Sequence, residues 1–239
     1  MNNLLIDIGN TAIKAAWAEG TTLGKVFRYQ GEKHMDFIQS LTSRVKPEVM
    51  TVSSVYEISQ KNICRLESFC SKLVLLDPVH SEIQKKYGLP EELSSDRAAS
   101  IVAARHLFNG KSVSLFDFGT MITVDFIDSE GNYEGGNISP GALSRFKAIN
   151  RYSKSLPLVG LPDKINRKGS DTISSIESGV ISGIMFEIEG YLSDFSKNIA
   201  VFTGGDAIYF AKRMKNSIFV ICNLVLTGLA LIAYSDYEK

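Results

Sequence analysis

Two short stretches of the chain place a single aspartate inside an apolar run that ends at a glycine. The first, LLIDIGNT, contains Asp7, and the second, SLFDFGT, contains Asp117 at the equivalent position. A lone ionised carboxylate is costly to bury away from water, so an aspartate in such a run needs a specific partner or role. Apolar β-forming residues that stop at glycine are typical of a strand entering a tight turn. Both aspartates are therefore candidates for a functional site at a strand end.

The repetition of this pattern predicts an internal duplication. The two aspartates lie 110 positions apart, and in each copy an apolar residue, a glycine and a hydroxyl residue follow the aspartate. Two such turns, one in each half of the chain, indicate two similar subdomains that face a common cleft. Short strings of this type also occur by chance, and that interpretation stays open on these residues alone.

The composition is that of a soluble globular protein without an excess of either charge. The chain has 239 residues, of which 26 are basic and 26 acidic, so its formal net charge is zero. Dedicated nucleic-acid-binding proteins usually have a clear basic excess, so we expect no nucleic-acid partner. The three cysteines, at positions 64, 70 and 222, form no CxxC pair, and the N-terminus lacks the pattern of a secretion signal. These features predict a cytoplasmic protein with reduced thiols.

One apolar segment near the C-terminus has two interpretations. Residues 217–234, SIFVICNLVLTGLALIAY, are almost continuously apolar, and a membrane-spanning helix needs about 20 such residues. However, Asn223, Thr227 and Gly228 interrupt the run. Alternatively, SIFVI forms a buried strand and Asn223 caps a short buried helix. We favour the second interpretation and expect no membrane partner.

The pattern of the remaining chain predicts an α/β fold in each half. Each half opens with three strands, predicted near 3–8, 12–18 and 24–29 and again near 112–117, 121–127 and 132–138. Strands and helices then alternate, which is typical of α/β architecture. The predicted helices lie near 34–45 and 59–71, from Asp96, from about 140, near 172–197, after Gly205 and at the C-terminus. We place the boundary between the lobes after residue 112, which gives lobes 1–112 and 113–239.

Eight stretches together resemble the type III pantothenate kinases, of the acetate and sugar kinase, heat-shock chaperone and actin superfamily. They are DIGNT (7–11), DRAAS (96–100), DFGTMITVD (117–125), YEGGNISPG (133–141), LPLV (156–159), GSDT (169–172), FTGGDA (202–207) and NLVLTGL (223–229). The resemblance implies two similar ribonuclease H-like lobes, as in actin-like ATPases, around a nucleotide cleft. It also implies a cytoplasmic homodimer that phosphorylates pantothenate with ATP and so opens coenzyme A biosynthesis.

The resemblance assigns both glycine turns to the phosphates of ATP. Glycine lets backbone N–H groups approach phosphate oxygens, and hydroxyl and amide side chains add donors. The implied ATP-binding residues are Asp7, Ile8, Gly9, Asn10, Thr11, Ala12, Ile13, Lys14 and Thr120. Because a carboxylate repels phosphate, Asp7 is expected to act through Mg²⁺. Asp117 resembles the residue that binds an activating monovalent cation, K⁺ or ammonium. Lys14 is equally well explained as a solvated lysine on a strand.

The stretch YGLPEELSSDRAAS resembles the family's substrate motif, in which Gly-x-Asp-Arg follows a tyrosine and a proline. Asp96 would accept the proton of the pantothenate primary alcohol, and Arg97 offers a bidentate fork for the pantothenate carboxylate. Alternatively, Asp96 is only the N-cap of a helix. The implied substrate-binding residues are Tyr87, Ser94, Ser95, Asp96, Arg97 and Thr172. Ser94 replaces the motif's glycine, and it either strains a left-handed backbone or takes an ordinary conformation with its hydroxyl bonded to nearby backbone.

Two other functions compete with the kinase prediction. A non-enzymatic member of the same family, resembling the Bvg accessory factor, would act through binding, and Ser94 leaves that alternative open. An ATP-switched interaction module, like the chaperones and actins, would need a separate client-binding domain, for which the chain is too short. The presence of Asp7, Asp96, Arg97 and Asp117 together favours the kinase.

Overall fold

The chain folds into two α/β units, each built around a five-stranded sheet. The structure is a computed structural model that describes residues 2–237. The first unit contains the chain up to Asn109 and again from Asn223 onward, and the second unit contains Gly110–Cys222. The sequence analysis placed the lobe boundary three residues later and assigned the whole of 113–239 to the second lobe. The C-terminal segment instead belongs to the first unit.

The first unit alternates strands and helices after an opening three-stranded meander. Its strands are β1 (Asn2–Ile8), β2 (Ile13–Glu19), β3 (Thr22–Tyr29), β4 (Val49–Ser54) and β5 (Lys72–Leu76). The helices in this part of the chain are α1 (His34–Thr42), α2 (Gln60–Phe69), α3 (Glu82–Lys86) and α4 (Ser95–Leu107). Successive side chains of a strand point to opposite faces of the sheet. Accordingly, Leu4 and Ile6 pack in one core cluster with residues of α1 and α2, whereas Leu5 packs in another with residues of α4.

The second unit repeats this arrangement. Its strands are β6 (Val113–Phe118), β7 (Met121–Ile127), β8 (Tyr133–Pro140), β9 (Ile199–Gly204) and β10 (Ile218–Val220). Its helices are α5 (Ala142–Tyr152), α6 (Thr172–Asp194) and α7 (Ala207–Ala211). A cluster of phenylalanines forms the centre of its core, with Phe116, Phe118 and Phe202 in mutual contact.

The topology of the two sheets confirms the predicted duplication. The strand order is β3-β2-β1-β4-β5 in the first sheet and β8-β7-β6-β9-β10 in the second. In both, the first three strands pair antiparallel and the last two join parallel to the central strand. Asp7 and Asp117 each occupy the second-to-last position of the central strand, β1 or β6. They are therefore equivalent residues of the two units.

The last helix, α8 (Leu224–Tyr237), returns to the first unit. Its buried residues join the core cluster that contains Leu5 and Ala99 of α4; they are Val225, Leu226, Leu229, Ala230, Ile232 and Ala233. The helix packs against α4 at Gly228, where an added β-carbon would overlap the carbonyl oxygen of Ala99. The apolar character of α8 is thus explained by burial against the first sheet. The prediction of a buried strand for SIFVI was wrong, because β10 is a short strand in which Phe219 and Val220 are 54% and 37% exposed. Among the described residues, no helix has the length and apolarity required to cross a membrane.

Candidate active site

The first glycine turn connects β1 and β2 beside Asp7. Gly9 N–H donates to the carbonyl oxygen of Ala12 over 3.1 Å, which closes the turn between the paired residues Ile8 and Ile13. Asn10 and Thr11 lie exposed at its tip, whereas Asp7 is 8% exposed. The turn therefore presents backbone and polar side chains to solvent directly above a buried carboxylate.

Lys14 lies directly opposite Asp7 in the antiparallel ladder of β1 and β2. Paired residues of a ladder project from the same face of the sheet, so the lysine and aspartate side chains are neighbours. Lys14 is half-buried, whereas a lysine that serves only for solubility is usually exposed. Lys14 thus lies beside the first glycine turn, and both interpretations of it stay open.

Helix α4 begins beside the same strand ends. Ser94 is its N-cap, with φ −58° and ψ 147°, an extended backbone that serine adopts without strain. The left-handed alternative for Ser94 was therefore wrong, and within the described chain its side chain makes no capping hydrogen bond. Asp96 lies one position inside the helix, so the interpretation of Asp96 as the N-cap was also wrong. Its Oδ1 accepts a hydrogen bond from the Arg97 backbone N–H over 2.9 Å.

Two buried hydroxyl groups join the start of α4 to the end of β4. Ser53 Oγ donates to Ser95 Oγ over 3.0 Å, and Ser95 Oγ donates to the Ser54 carbonyl oxygen over 2.7 Å. Ser53 is the parallel-strand neighbour of Asp7. The structure thus brings Asp7, Lys14 and the first turn of α4 to one edge of the first sheet. Ser53 was missed by the sequence analysis, because nothing in its local pattern distinguishes it from other strand serines.

Tyr87 makes its contacts at the opposite end of α4. Its carbonyl oxygen accepts a hydrogen bond from Arg105 Nη1 over 2.6 Å, and its hydroxyl lies 2.8 Å from Ser235 Oγ on α8. Arg105 follows Asp96 by nine residues, which is about 13 Å along a helix. The Tyr87 carbonyl oxygen is therefore bonded to a residue near the opposite end of α4 from Asp96.

The second glycine turn connects β6 and β7 in the second unit. Gly119 N–H donates to the Met121 carbonyl oxygen over 3.0 Å, and Thr120 is exposed. This turn is one residue shorter than the first, because Phe118 pairs with Ile122 whereas Ile8 pairs with Ile13. It offers fewer side-chain donors than the turn at Gly9.

Asp117 is half-buried, and its carboxylate lies against the glycine turn that follows β9. Gly204 has φ +92°, a conformation that side-chain-bearing residues rarely adopt. A β-carbon at Gly204 would overlap Asp117 Oδ1 and would lie 2.5 Å from the Phe118 carbonyl oxygen. The TGG stretch (203–205) therefore makes room for the Asp117 carboxylate.

The second turn is held from its other side by the start of α5. Gly141 N–H donates to the Thr120 carbonyl oxygen over 3.0 Å, and Ser144 Oγ donates to the same oxygen over 2.6 Å. A β-carbon at Gly141 would overlap the Gly119 carbonyl oxygen. The sequence analysis missed Ser144, although the glycine of SPG could have indicated a close backbone approach.

Two further residues of the predicted motifs lie elsewhere in the second unit. Thr172 is exposed as the first residue of α6, directly after a capping box in which Asp171 Oδ1 accepts from the Ser174 N–H over 2.9 Å. Asp206 follows the TGG turn, and its burial raises the pKa of its carboxyl group above the usual value. No contact places Thr172 beside Asp117 or Thr120 within the described residues.

The residues at the two strand ends fit Mg²⁺ and a monovalent cation by their donor chemistry. No group of three or more His, Cys, Asp or Glu side chains that could hold a metal is found within residues 2–237. Mg²⁺ in phosphoryl-transfer sites usually binds through one or two carboxylates together with substrate phosphates and water. A single buried carboxylate, Asp7, beside a phosphate-type turn meets that requirement. Asp117 is likewise a hard oxygen donor at an open glycine turn.

The duplicated sheets and paired strand-end turns define the chain as an actin-like ATPase fold. A putative Baf family transcriptional activator from Campylobacter jejuni shares it, with 20% identity and a TM-score of 0.66 over 99% of this chain and 100% of that one. The activator of 2-hydroxyisocaproyl-CoA dehydratase from Clostridium difficile with bound ADPNP has 12% identity and a TM-score of 0.58 over 100% of this chain and 96% of that one. The ROK hexokinase from Thermus thermophilus has 13% identity and a TM-score of 0.53 over 99% of this chain and 100% of that one. At these identities the likeness establishes the fold alone.

The chain belongs to the type III pantothenate kinase family. The family model described as type III pantothenate kinase matches residues 3–194. A type III pantothenate kinase from Phocaeicola vulgatus is 38% identical over 243 residues, which cover 98% of this chain and 99% of that protein. Another, from Cytophaga hutchinsonii, is 37% identical over 231 residues, 95% of this chain and 96% of that protein.

Proposed function

We propose that Asp96 is the general base in the phosphorylation of pantothenate by ATP, the first step of coenzyme A biosynthesis. The position of Asp96 in the first turn of α4, which is bonded to the strand beside Asp7, carries this proposal. A general base must lie within hydrogen-bond reach of the proton that it accepts, at the site where the phosphoryl group arrives. Asp96 would take the proton of the primary alcohol as its oxygen attacks the γ-phosphorus.

Both glycine turns are proposed to bind the phosphates of ATP. The first turn would contribute the backbone of residues 8–13 and the side chains of Asn10, Thr11 and Lys14. The second would contribute Thr120, held in place by the start of α5. Phosphoryl transfer depends mainly on positioning and on neutralising the phosphate charge, and these groups supply donors and one cation.

Asp7 is proposed to hold Mg²⁺, which when bound supplies positive charge beside the phosphate oxygens. Asp7 is well suited to this because its carboxylate is buried at the turn but cannot itself bind phosphate. Asp117, the equivalent residue, is proposed to bind K⁺ or ammonium. The close approach of Asp117 Oδ1 to Gly204 supports this proposal, because it holds the carboxylate beside the second glycine turn.

The assignment of Asp117 is tested by comparing salts. Replacing Na⁺ by K⁺ or ammonium at constant ionic strength is expected to raise kcat strongly, and Asp117→Asn should reduce that response. Asp128→Asn is the matched control, because Asp128 is also a turn aspartate that accepts backbone N–H bonds, from Glu130 and Asn132. Equal rates of the native protein in all three salts would contradict the proposal that Asp117 binds an activating monovalent cation.

For pantothenate, we propose that Arg97 binds the carboxylate as a bidentate partner and that Tyr87 is a further substrate contact. The half-buried position of Arg97 beside Asp96 supports the first assignment. The family resemblance supports the second, because Tyr87 matches the tyrosine of the substrate motif. Ser94 and Thr172 are retained as substrate contacts from the family resemblance.

The protein is proposed to be a cytoplasmic homodimer that associates through its second unit. Ile138 on β8, Leu143 on α5 and Phe186 on α6 are exposed by 58%, 48% and 57%. Arg145 of α5 forms an ion pair with Glu187 of α6, and Ser139 of β8 donates to the same glutamate, so the three side chains lie on adjoining elements. Phe186→Glu should halve the mass measured by sedimentation equilibrium. Ile208→Glu, which changes an equally apolar residue exposed by 49% on α7, should leave the mass unchanged.

The Asp96 proposal is tested by Asp96→Asn. Asn keeps an oxygen for the Arg97 N–H but is a very weak base, so kcat should fall by about 10²–10⁴ while the unfolding midpoint changes little. Asp128→Asn serves again as the matched control. Release of ADP that depends on pantothenate, with Mg²⁺ and K⁺ present, also separates the kinase from a non-enzymatic family member. A variant with near-native kcat would reduce Asp96 to a structural residue.

A further inference from the structure

The hydroxyl groups of Ser53 and Ser95 form a chain of two successive hydrogen bonds in the interior of the first unit. Ser53 is fully buried and Ser95 is 2% exposed. The Ser53 hydroxyl donates a hydrogen bond to Ser95 Oγ, and the Ser95 hydroxyl donates one to the Ser54 carbonyl oxygen. Both hydroxyl protons are therefore used, and each hydroxyl depends on the other for its orientation.

These hydrogen bonds attach the start of α4 to β4 through a side chain. The N-cap residue Ser94 forms no capping bond through its side chain within the described structure. The first-turn residue next to Asp96 is thus bonded to β4 through its own side chain, while the N-cap contributes only backbone. β4 pairs with β1 at Asp7 and Ser53, so the hydroxyl chain connects the segment that carries Asp96 to the strand that carries Asp7.

We propose that Ser95 is a positioning residue: its bonds to Ser53 and Ser54 set where Asp96 stands relative to Asp7. This inference rests on the proposed role of Asp96 as the base. It also replaces the sequence-based assignment of Ser95 as a substrate contact, because Ser95 is 2% exposed and its hydroxyl hydrogen is already donated to the Ser54 carbonyl oxygen. Displacement of a reacting group by 1 Å can cost about 10²-fold in rate, so a short buried tether of this kind is sufficient to matter.

The test is Ser95→Ala, compared with Ser100→Ala. Both serines lie on α4 and are 2% exposed. The Ser100 hydroxyl, in contrast, has no hydrogen-bond partner among residues 2–237. Ser95→Ala should lower kcat about 10- to 100-fold at a temperature where both variants are folded, with KM for ATP unchanged within about twofold. Ser100→Ala should leave kcat near native.

A double-mutant cycle gives a second measurement that loss of stability alone would not reproduce. Ser53→Ala removes one bond of the chain and should reduce kcat less than Ser95→Ala. The double variant should match Ser95→Ala instead of multiplying the two losses, because the residues act as one unit. Multiplicative losses, or equal kcat for Ser95→Ala and Ser100→Ala, would overturn the proposal. So would a Ser95→Ala variant that raises only KM for pantothenate, since that identifies a substrate contact.

Asp96→Asn, assayed in parallel, distinguishes failure of the Ser95 positioning role from failure of the Asp96 base assignment. If Asp96→Asn is inactive and Ser95→Ala is native-like, the positioning role fails and the base assignment stands. If Asp96→Asn retains its rate, the base assignment fails and the positioning role falls with it.

Discussion

The contact between α4 and α8 makes Gly228 a position where one methyl group should disturb both stability and catalysis. In the native packing, a β-carbon at Gly228 would lie 2.5 Å from the Ala99 carbonyl carbon and 3.0 Å from its α-carbon, and it would overlap the carbonyl oxygen. Real β-carbon contacts do not fall below about 3.0 Å. Because the obstacle is helix backbone, which has no other rotamer, Gly228→Ala must push the two helices apart by more than half an ångström.

The expected cost follows from this displacement. A radial gap of 0.5–1 Å loses about a quarter to a half of each dispersion contact that it opens, and overpacked cores typically lose about 1–3 kcal/mol. For a chain of this size, that corresponds to a fall of roughly 2–12 °C in the unfolding midpoint. Asp96 precedes Ala99 by three residues, about 4.5 Å along the axis. A shift of α4 should therefore also lower kcat, by about tenfold or more.

Thermal unfolding and steady-state kinetics of Gly228→Ala and Gly190→Ala provide the test. Gly190 lies in α6, and a β-carbon there would meet nothing within 4 Å. Alanine at Gly190 should therefore stabilise the protein by about 0.4–1 kcal/mol through the unfolded chain. Equal midpoints for the two variants would refute the reasoning from the α4–α8 contact. A lowered midpoint with native kcat would refute only its link to Asp96.

Three further outcomes are expected. Because the Ser94 backbone is ordinary for serine, Ser94→Gly should change KM for pantothenate by no more than about tenfold and leave KM for ATP unchanged; activity that appears only in this variant would contradict the kinase function of the native chain. Burial raises the pKa of Asp77, but bonds from the Ile58 N–H and from His80 outweigh it, so the net pKa is lowered. The stability that the ionised Asp77 carboxylate contributes is present above about pH 4 and is lost as the pH falls through its folded pKa. Asp77→Asn should therefore have a lower free energy of unfolding than the native protein at pH 7. It should also lose less of that free energy between pH 6 and pH 3, as measured in unfolding scans. Asp171→Ala, which removes the capping box of α6, should cost about 1 kcal/mol, measured as a lower midpoint.

Local patterns were sufficient for most of the fold. The apolar runs around Asp7 and Asp117 end at glycines, and these turns occur where predicted because glycine punctuates strands by its own conformational properties. The strand orders of the two sheets match because the sequence contains the same pattern twice, three antiparallel strands followed by helical crossovers to parallel strands. The short helix α3 was missed, since its five residues lie in a stretch rich in turn-forming residues.

The parts that escaped prediction depend on tertiary contacts. A helix serine such as Ser95 carries no sequence mark that it is buried against Ser53, 42 positions earlier. Likewise, the apolar composition of α8 predicted burial but not the unit in which it is buried. The start of α4 was predicted at Asp96, whereas the N-cap is Ser94, and this difference of two residues places the Asp96 carboxylate inside the first turn.

The return of α8 has a consequence for the order in which the protein is made. The second unit is a continuous segment, Gly110–Cys222, whereas the core of the first unit needs Leu226, Leu229 and Ile232 from the end of the chain. Domains generally fold as units while synthesis proceeds from the N-terminus. Here the second unit emerges complete while one face of the first sheet is covered by α4 but still lacks α8. A chain stalled at Cys222 would thus carry a folded second unit and a first unit with exposed apolar side chains. Packing of α8 is therefore the event that completes the core of the first unit and, with it, the folded kinase.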